Sequence, residues 1–334
     1  MKRVVLIITL IAVSAAAYLF RPAIWHGKPL SAAGIGHLLD VQATQSYSAC
    51  GETTSWYEGK QVISRIKFIH GAPNRYRVEY VSSPLKGVVV GDDGTSIWRF
   101  DPALHEVVDV ITTGCSVSSS CAHLLCGNYD ILQMGVGRVA GRQARILQIS
   151  SHSGKLVKRL WIDEKTGVQL KCEDYDSMQH LRSRTVYDSV QYLSSVPDSL
   201  FCKSSCGHQA CVESEGASMT VSGLSKALGF SVTQPHYIPK GYSLNSCRVY
   251  ECMHGCCPKS AYLRYTNGLE SISVFETPNH NCGMPGSCPE SGANSCVLSP
   301  DVQGRTASFT RHNVAYVVIG DIDDRELHRI ADSI

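Results

Sequence analysis

From residue 61 to residue 192, apolar side chains recur at every second position in short runs that end on glycine, proline or an Asp-Gly pair. A period of two sends successive side chains to opposite faces of an extended chain, so each run predicts a strand with one dry and one wet face. The stretch "RLWIDEKTGVQLKCEDYD", residues 159–176, gives the pattern most clearly. Leu160 and Ile162 share one face of a first strand, and Val168, Leu170 and Cys172 share one face of a second. Gln169, Lys171 and Glu173 point the other way. Residues 163–167 carry the polar side chains and closing glycine of a hairpin loop.

The same alternation predicts strands at 62–68, 76–80, 88–90, 97–100, 106–110, 137–150 and 184–192, with a short helix at 32–40 and a helical turn at 129–134. Strands at roughly ten-residue intervals with turn chemistry between them predict a large, strongly curved antiparallel sheet. A stretch rich in Cys, Ser and Gly at 202–216 interrupts the pattern. Beyond it a helix is expected at 221–228, and strands at 261–266, 271–276, 306–311 and 314–319, the first two joined by a turn at Asn267-Gly268. A last helix starts at Asp323 with Glu326 three residues on, and Leu327, Ile330 and Ile334 fall on one face. With 334 residues the chain is long enough for two domains. The expected layout is 1–20 signal peptide or amino-terminal anchor, 21–34 linker, 35–201 first domain, 202–216 Cys-rich linker and 217–334 a small α+β domain.

Lys2 and Arg3 precede an apolar run from Val4 to Phe20. This reads as an export signal, longer than an ordinary signal core and slightly short of a full membrane span. Ala15, Ala16 and Ala17 offer a cleavage site; cleavage is favoured, and retention as an anchor stays open. Export places the remainder in an extracytoplasmic, periplasm-like compartment. A balance of 31 basic against 29 acidic side chains is too even to draw in a phosphate backbone, so nucleic acid is not an expected partner.

Fifteen cysteines agree with an oxidising compartment. Cys115, Cys121, Cys126, Cys202, Cys206, Cys211, Cys247, Cys252, Cys256, Cys257, Cys282, Cys288 and Cys296 are the disulfide candidates; their pairing is open. The alternative for the later clusters, "CRVYECMHGCCPK" and "HNCGMPGSC", is a soft-ligand set of Cys252, His254, Cys256, Cys257, His280 and Cys282, which suits Cu(I) or Zn(II). Its spacing matches no standard zinc module, so disulfides are the favoured reading and no cofactor is expected. "HEVVD" at 105–109 begins like a zinc-protease motif but alternates like a strand, and "GVGRVAG" at 135–141 misses dinucleotide spacing and leads into a strand. No Walker loop, nucleophile elbow or CxxC pair is present, which argues against an enzyme. Trp56, Trp98, Trp161, Tyr57, Tyr76 and Tyr80 supply aromatics for a core or, if the concave face is not filled, for the lining of an acyl-chain cavity.

"SYSAC", "YEGKQVISRIKFIHGAPNRYRVEY", "GDDGTSIWRFDP", "GVGRVAGRQARILQISSHSGKLVKRLWIDEKTGVQLKCEDYD" and "VPDSLF", in that order, resemble the amino-terminal domain of the MucB/RseB family of periplasmic sigma-E regulators, itself similar to the carriers LolA and LolB. "ALGFSVTQPHYIPKGYSL", "YLRYTNGLESISVFE" and "HNVAYVVIGDIDDRELHRIADS" resemble the smaller carboxy-terminal domain of the same family. The resemblance implies an α+β fold in which a LolA-like half-barrel sheet wraps over helices and a small α+β domain follows. It also implies binding without catalysis: the partner is the periplasmic part of a membrane-bound anti-sigma factor, and a lipid or lipopolysaccharide ligand in an apolar cavity triggers release. A lipid or lipoprotein carrier, and a metal or thiol sensor built on the cysteine clusters, are the competing expectations. The fifteen cysteines depart from the family pattern. No ligand contact is carried over.

Overall fold

Polar flanks and apolar alternate positions put the chain into strands wherever one face can be buried, and the computed structural model describes residues 27–57, 60–94, 97–103, 106–109, 121–202, 218–251, 259–278 and 305–334. The first part runs β1 (Lys28–Pro29), α1 (Ala32–Ala43), β2 (Ser46–Tyr57), β3 (Lys60–Gly71), β4 (Arg75–Tyr80), β5 (Val89–Asp92), β6 (Ile97–Asp101), β7 (Glu106–Asp109), α2 (Ala122–Asn128), β8 (Tyr129–Val139), β9 (Arg142–Ser151), β10 (Leu156–Asp163), β11 (Gln169–Tyr175) and β12 (Leu181–Leu193). These twelve strands make one antiparallel sheet in the order β1-β8-β9-β10-β11-β12-β2-β3-β4-β5-β6-β7. It is two meanders joined where β12 pairs with β2, and it curves without closing.

The hairpin of residues 159–176 sits in the middle of the first meander. Leu160 faces Cys172 across the ladder, and Trp161 faces Lys171. Leu170 and Val168 are fully buried, while the Lys171 ammonium lies 3.9 Å from the centre of the Trp161 ring on the other face. The alternation separates the faces as the sequence predicts as far as Trp161; beyond it a register shift pairs Ile162 with Gln169, which therefore shares its face instead of pointing away.

Two elements differ from expectation. Residues 129–134 are the start of β8, not a helical turn, and the helix lies just before them as α2. Ile131 is buried opposite Ile149 of β9, so pairing with an already apolar strand decides the conformation there. Strand β2 is absent from the prediction because "SYSACGETTSWY" is largely polar. It is nevertheless central, paired on both sides, and Tyr47, Ala49 and Gly51 bring its buried face together. A Cβ on Gly51 would stand 2.2 Å from the Val186 carbonyl oxygen, so only glycine allows the two strands to approach this closely.

A short strap after β12 closes one end of the sheet. The indole N–H of Trp98, fully buried on β6, donates to the Phe201 carbonyl at 2.9 Å. The Phe201 ring in turn fills the space where Gly71 lacks a side chain.

The second part runs α3 (Val221–Leu228), β13 (Ser243–Tyr250), β14 (Ser260–Thr266), β15 (Ser271–Pro278), β16 (Arg305–Arg311), β17 (Val314–Gly320) and α4 (Asp324–Asp332). Its antiparallel sheet has the order β13-β14-β15-β17-β16. Both helices are capped: Asp323 accepts from the Glu326 amide at 2.9 Å as its sequence predicts, and Thr220 accepts from the Gly223 amide. Leu224, Leu327 and Ile330 bury their side chains against Leu263, Ile272, Val274 and Val318 of the sheet.

The two sheets touch through side chains of both. Asn128 at the end of α2 donates to the carbonyls of Gly241 and Asn267 at 2.9 and 3.0 Å, and Asn267 donates to the Tyr129 hydroxyl at 2.9 Å. Arg182 of β12 pairs with Asp321. Burial pushes Asp92 on β5 up to about 6, while Arg264 of β14 and Arg248 of β13 act in the opposite direction.

Glu276 is fully buried in β15, both its oxygens accepting from the Thr233 amide at 3.1 and 3.0 Å. Burial pushes its carboxyl up to about 7. A raised carboxyl pKa means that the folded state holds a proton which the unfolded chain has already lost. This part should therefore lose stability as pH rises from about 4.5 to 7, by roughly 3 kcal/mol. Glu276→Gln should flatten that slope and exceed the wild type in stability above neutral pH, as read from denaturation midpoints across pH; a variant with an unchanged slope would refute the assignment.

Candidate functional site

The concave face of the large sheet is crossed by α1, which starts at Ser31, whose hydroxyl accepts from the Gly34 amide at 3.2 Å. Ile35 buries itself with Leu125 of α2, Ile131 of β8 and Ile149 of β9. Between helix and sheet lies a partly open cavity of about 320 Å³. Ile35, Leu38, Leu39, Gln42 and Ala43 line it from α1; Leu147, Ile149, Leu160 and Ile162 line it from β9 and β10; and Tyr47, Phe68, His70 and Tyr76 line it from β2, β3 and β4. The aromatic end is mutually packed, with Tyr47 5.6 Å from Phe68 and Phe68 6.1 Å from Tyr76, ring centre to ring centre. Leu125 and, from the smaller sheet's hairpin loop, Leu269 complete the lining near Ile35.

Two ionisable groups at this wall, His70 and Lys158, are held by partners. His70 donates from Nδ1 to the Gln45 carbonyl at 2.6 Å and stacks on Tyr47, and burial lowers its pKa so that it is neutral at physiological pH. Lys158 is the one fully charged side chain of the lining. Burial opposes its charge, yet Cys172 and Asp174 raise its pKa, and its ammonium lies 2.7 Å from the Asp174 carboxylate. Asp174 also accepts from the Ser183 hydroxyl at 2.8 Å and from the Cys172 thiol at 3.6 Å. Burial pushes the Cys172 thiol up to about 12, which keeps it protonated and unreactive.

The loop of residues 163–167 pins α1 in place. Gly167 takes a left-handed φ of +70°, and a Cβ there would meet the Leu38 carbonyl oxygen at 3.2 Å, so the loop packs directly on the helix backbone. Asp163, almost wholly buried, accepts from the Lys165 and Thr166 amides at 2.8 and 3.2 Å and pairs with Arg142. Burial alone would raise its pKa; Arg142 and the two amides outweigh that and hold the carboxyl below the usual range.

Among the described residues no group of three or more His, Cys, Asp or Glu could hold a metal ion. Cys252, His254, Cys256, Cys257, His280 and Cys282 lie outside the described residues, as do Cys115, Cys206, Cys211, Cys288 and Cys296. Of the remaining disulfide candidates, Cys126, Cys202 and Cys247 form no disulfide with another described residue, and Cys121 precedes α2. No described helix is long and apolar enough to cross a membrane, and residues 1–26 lie outside the described part. Sequence alternation identified the inner faces of β3 and β10. It missed Tyr47, which sits in a polar strand, and Leu269, which is distant in the chain and belongs to the other sheet.

Because Asp163 is ionised at neutral pH and its lowered pKa belongs to the folded state, its contribution is present above pH 4 or so and fades as pH falls. Asp163→Asn should cost about 2 kcal/mol at pH 7, measured by chemical denaturation, and the gap to the wild type should narrow in acid. Equal midpoints at pH 7 would show that the loop does not depend on this carboxylate.

Residues 57–203 match the family described as the MucB/RseB N-terminal domain. Among curated proteins none matches the chain in sequence. Three solved structures share the fold. The first is the Pseudomonas aeruginosa MucA/MucB complex, 17% identical, covering 90% of this chain and 96% of that chain with a TM-score of 0.54. The others are MucB, 18% identical over 90% and 95% of the two chains with a TM-score of 0.55, and MucB in complex with MucA(peri), 18% identical over 90% and 96% with a TM-score of 0.52. Most of the large curved sheet thus matches the MucB/RseB amino-terminal domain in sequence, and the chain as a whole shares the fold of MucB.

Proposed function

We propose that this chain is an exported, non-enzymatic regulator that binds the periplasmic segment of a membrane-bound anti-sigma factor and loosens its hold when an acyl chain occupies the cavity. The observation that carries the reading is the pairing of a MucB/RseB domain with a mostly aliphatic and aromatic cavity of about 320 Å³ beneath its curved sheet. That volume is at the small end of the range for ligand sites and suits one slender apolar ligand better than a bulky one. The wall groups His70 and Lys158 are held by neighbours, which favours holding a ligand over acting on it.

Such a regulator works only if its ligand binds the released form better than the partner-bound form, since equal affinity for both shifts nothing. The full chain, titrated with the fluorescently labelled periplasmic segment of the anti-sigma protein encoded beside it, should form a complex in buffer. Added laurate should weaken that complex roughly tenfold or more. Absence of a complex under both conditions would end the regulator reading. An unchanged complex in the presence of bound laurate would remove the lipid from it.

A further inference from the structure

The cavity is not built by the MucB/RseB domain alone. Leu269, only 8% exposed, belongs to the hairpin loop between β14 and β15 of the smaller sheet, yet it packs with Ile35, Leu125, Ile131 and Ile149 and lines the cavity. The loop that presents it is tightly specified. The Asn267 side-chain oxygen accepts from the Leu269 and Glu270 amides at 2.9 and 2.8 Å. Gly268 has a left-handed φ of +99°, and a Cβ there would stand 2.8 Å from the Leu125 amide nitrogen, so the loop backbone rests directly on α2. Its seat is fixed by the bonds from Asn128 to the Asn267 and Gly241 carbonyls and from Asn267 to the Tyr129 hydroxyl.

The geometry points to Leu269 as a stopper: it sets the length of chain the cavity accepts, and it couples longer occupants to the contact between the two sheets. This rests on the cavity being an acyl-chain site, as proposed above. A cavity of about 320 Å³ has room for only a limited length of one acyl chain. A ligand that fits this space leaves Leu269 seated. A longer one that is drawn in to its full length meets the Leu269 side chain and lifts the loop from α2, which gives up the hydrogen bonds of Asn128 and Asn267. Longer chains therefore favour a parted arrangement of the two sheets and shorter ones do not, which is a differential affinity of the kind needed to shift an equilibrium.

The test uses the full chain as wild type, Leu269→Ala and Leu269→Phe, with octanoate, decanoate, laurate, myristate and palmitate displacing anilinonaphthalene sulfonate. Hydrogen exchange of the segments around Asn128 and Gly268 is followed in parallel. In the wild type, affinity should rise about fourfold per methylene and then level off, and exchange at both segments should quicken with palmitate but not with octanoate. Leu269→Ala should move the levelling point up by about two to three carbons and Leu269→Phe should move it down, opposite shifts that general destabilisation would not produce. Wild-type binding with one chain-length profile shared by all three proteins would overturn the stopper and leave the cavity reading standing. Failure of every fatty acid to bind any of the three would overturn both.

Discussion

An antiparallel sheet of twelve strands spans roughly 55 Å across its strands at ordinary spacing. The helix lying over it, with twelve residues, is about 18 Å long. No single helix of that length can fill the hollow of so wide a sheet, and the rest of the structure follows from the mismatch. Aromatic side chains from β2, β3 and β4 fill one part and α1 another, and the space left between them is the cavity. A flat sheet would have left it open to water.

The helix has few means of holding itself in place. It is short, and Ile35 is its one fully buried side chain. What fixes it is contact from elements distant in sequence: the Asp163 loop against its backbone, α2 at its side, and Leu269 from the other sheet beyond that. Cavity shape is consequently a property of the whole chain, although the matched family domain covers residues 57–203 only. The helix itself, at residues 32–43, falls outside that match and is still integral to the site.

Much of the scaffold could be read from side-chain alternation. Strands such as β3, with Ile66 buried and Ile63 exposed, announce both their conformation and their inner face. The helix cap at Asp323 was legible because a cap is a local hydrogen bond, and local bonds follow local sequence. Strand β2 was not legible, since its place is decided by two partners that lie far along the chain. The start of β8 failed for the same reason: Tyr129 and Asp130 become strand by pairing with Ser151 and Ser150. The site was the least visible part. Alternation shows that Leu160 and Ile162 face inward, but whether their space is filled depends on the curvature of twelve strands and on a leucine more than a hundred residues away.

The strap formed by residues 198–201 adds an optical property to this architecture. Trp98 is fully buried with its indole N–H on the Phe201 carbonyl, whereas Trp56 and Trp161 are partly exposed. An indole in so dry a place emits at shorter wavelength than one in contact with water. Unseating of the strap would wet this ring and redden its emission, giving the chain an intrinsic, label-free signal for the moment at which the end of the large sheet comes undone.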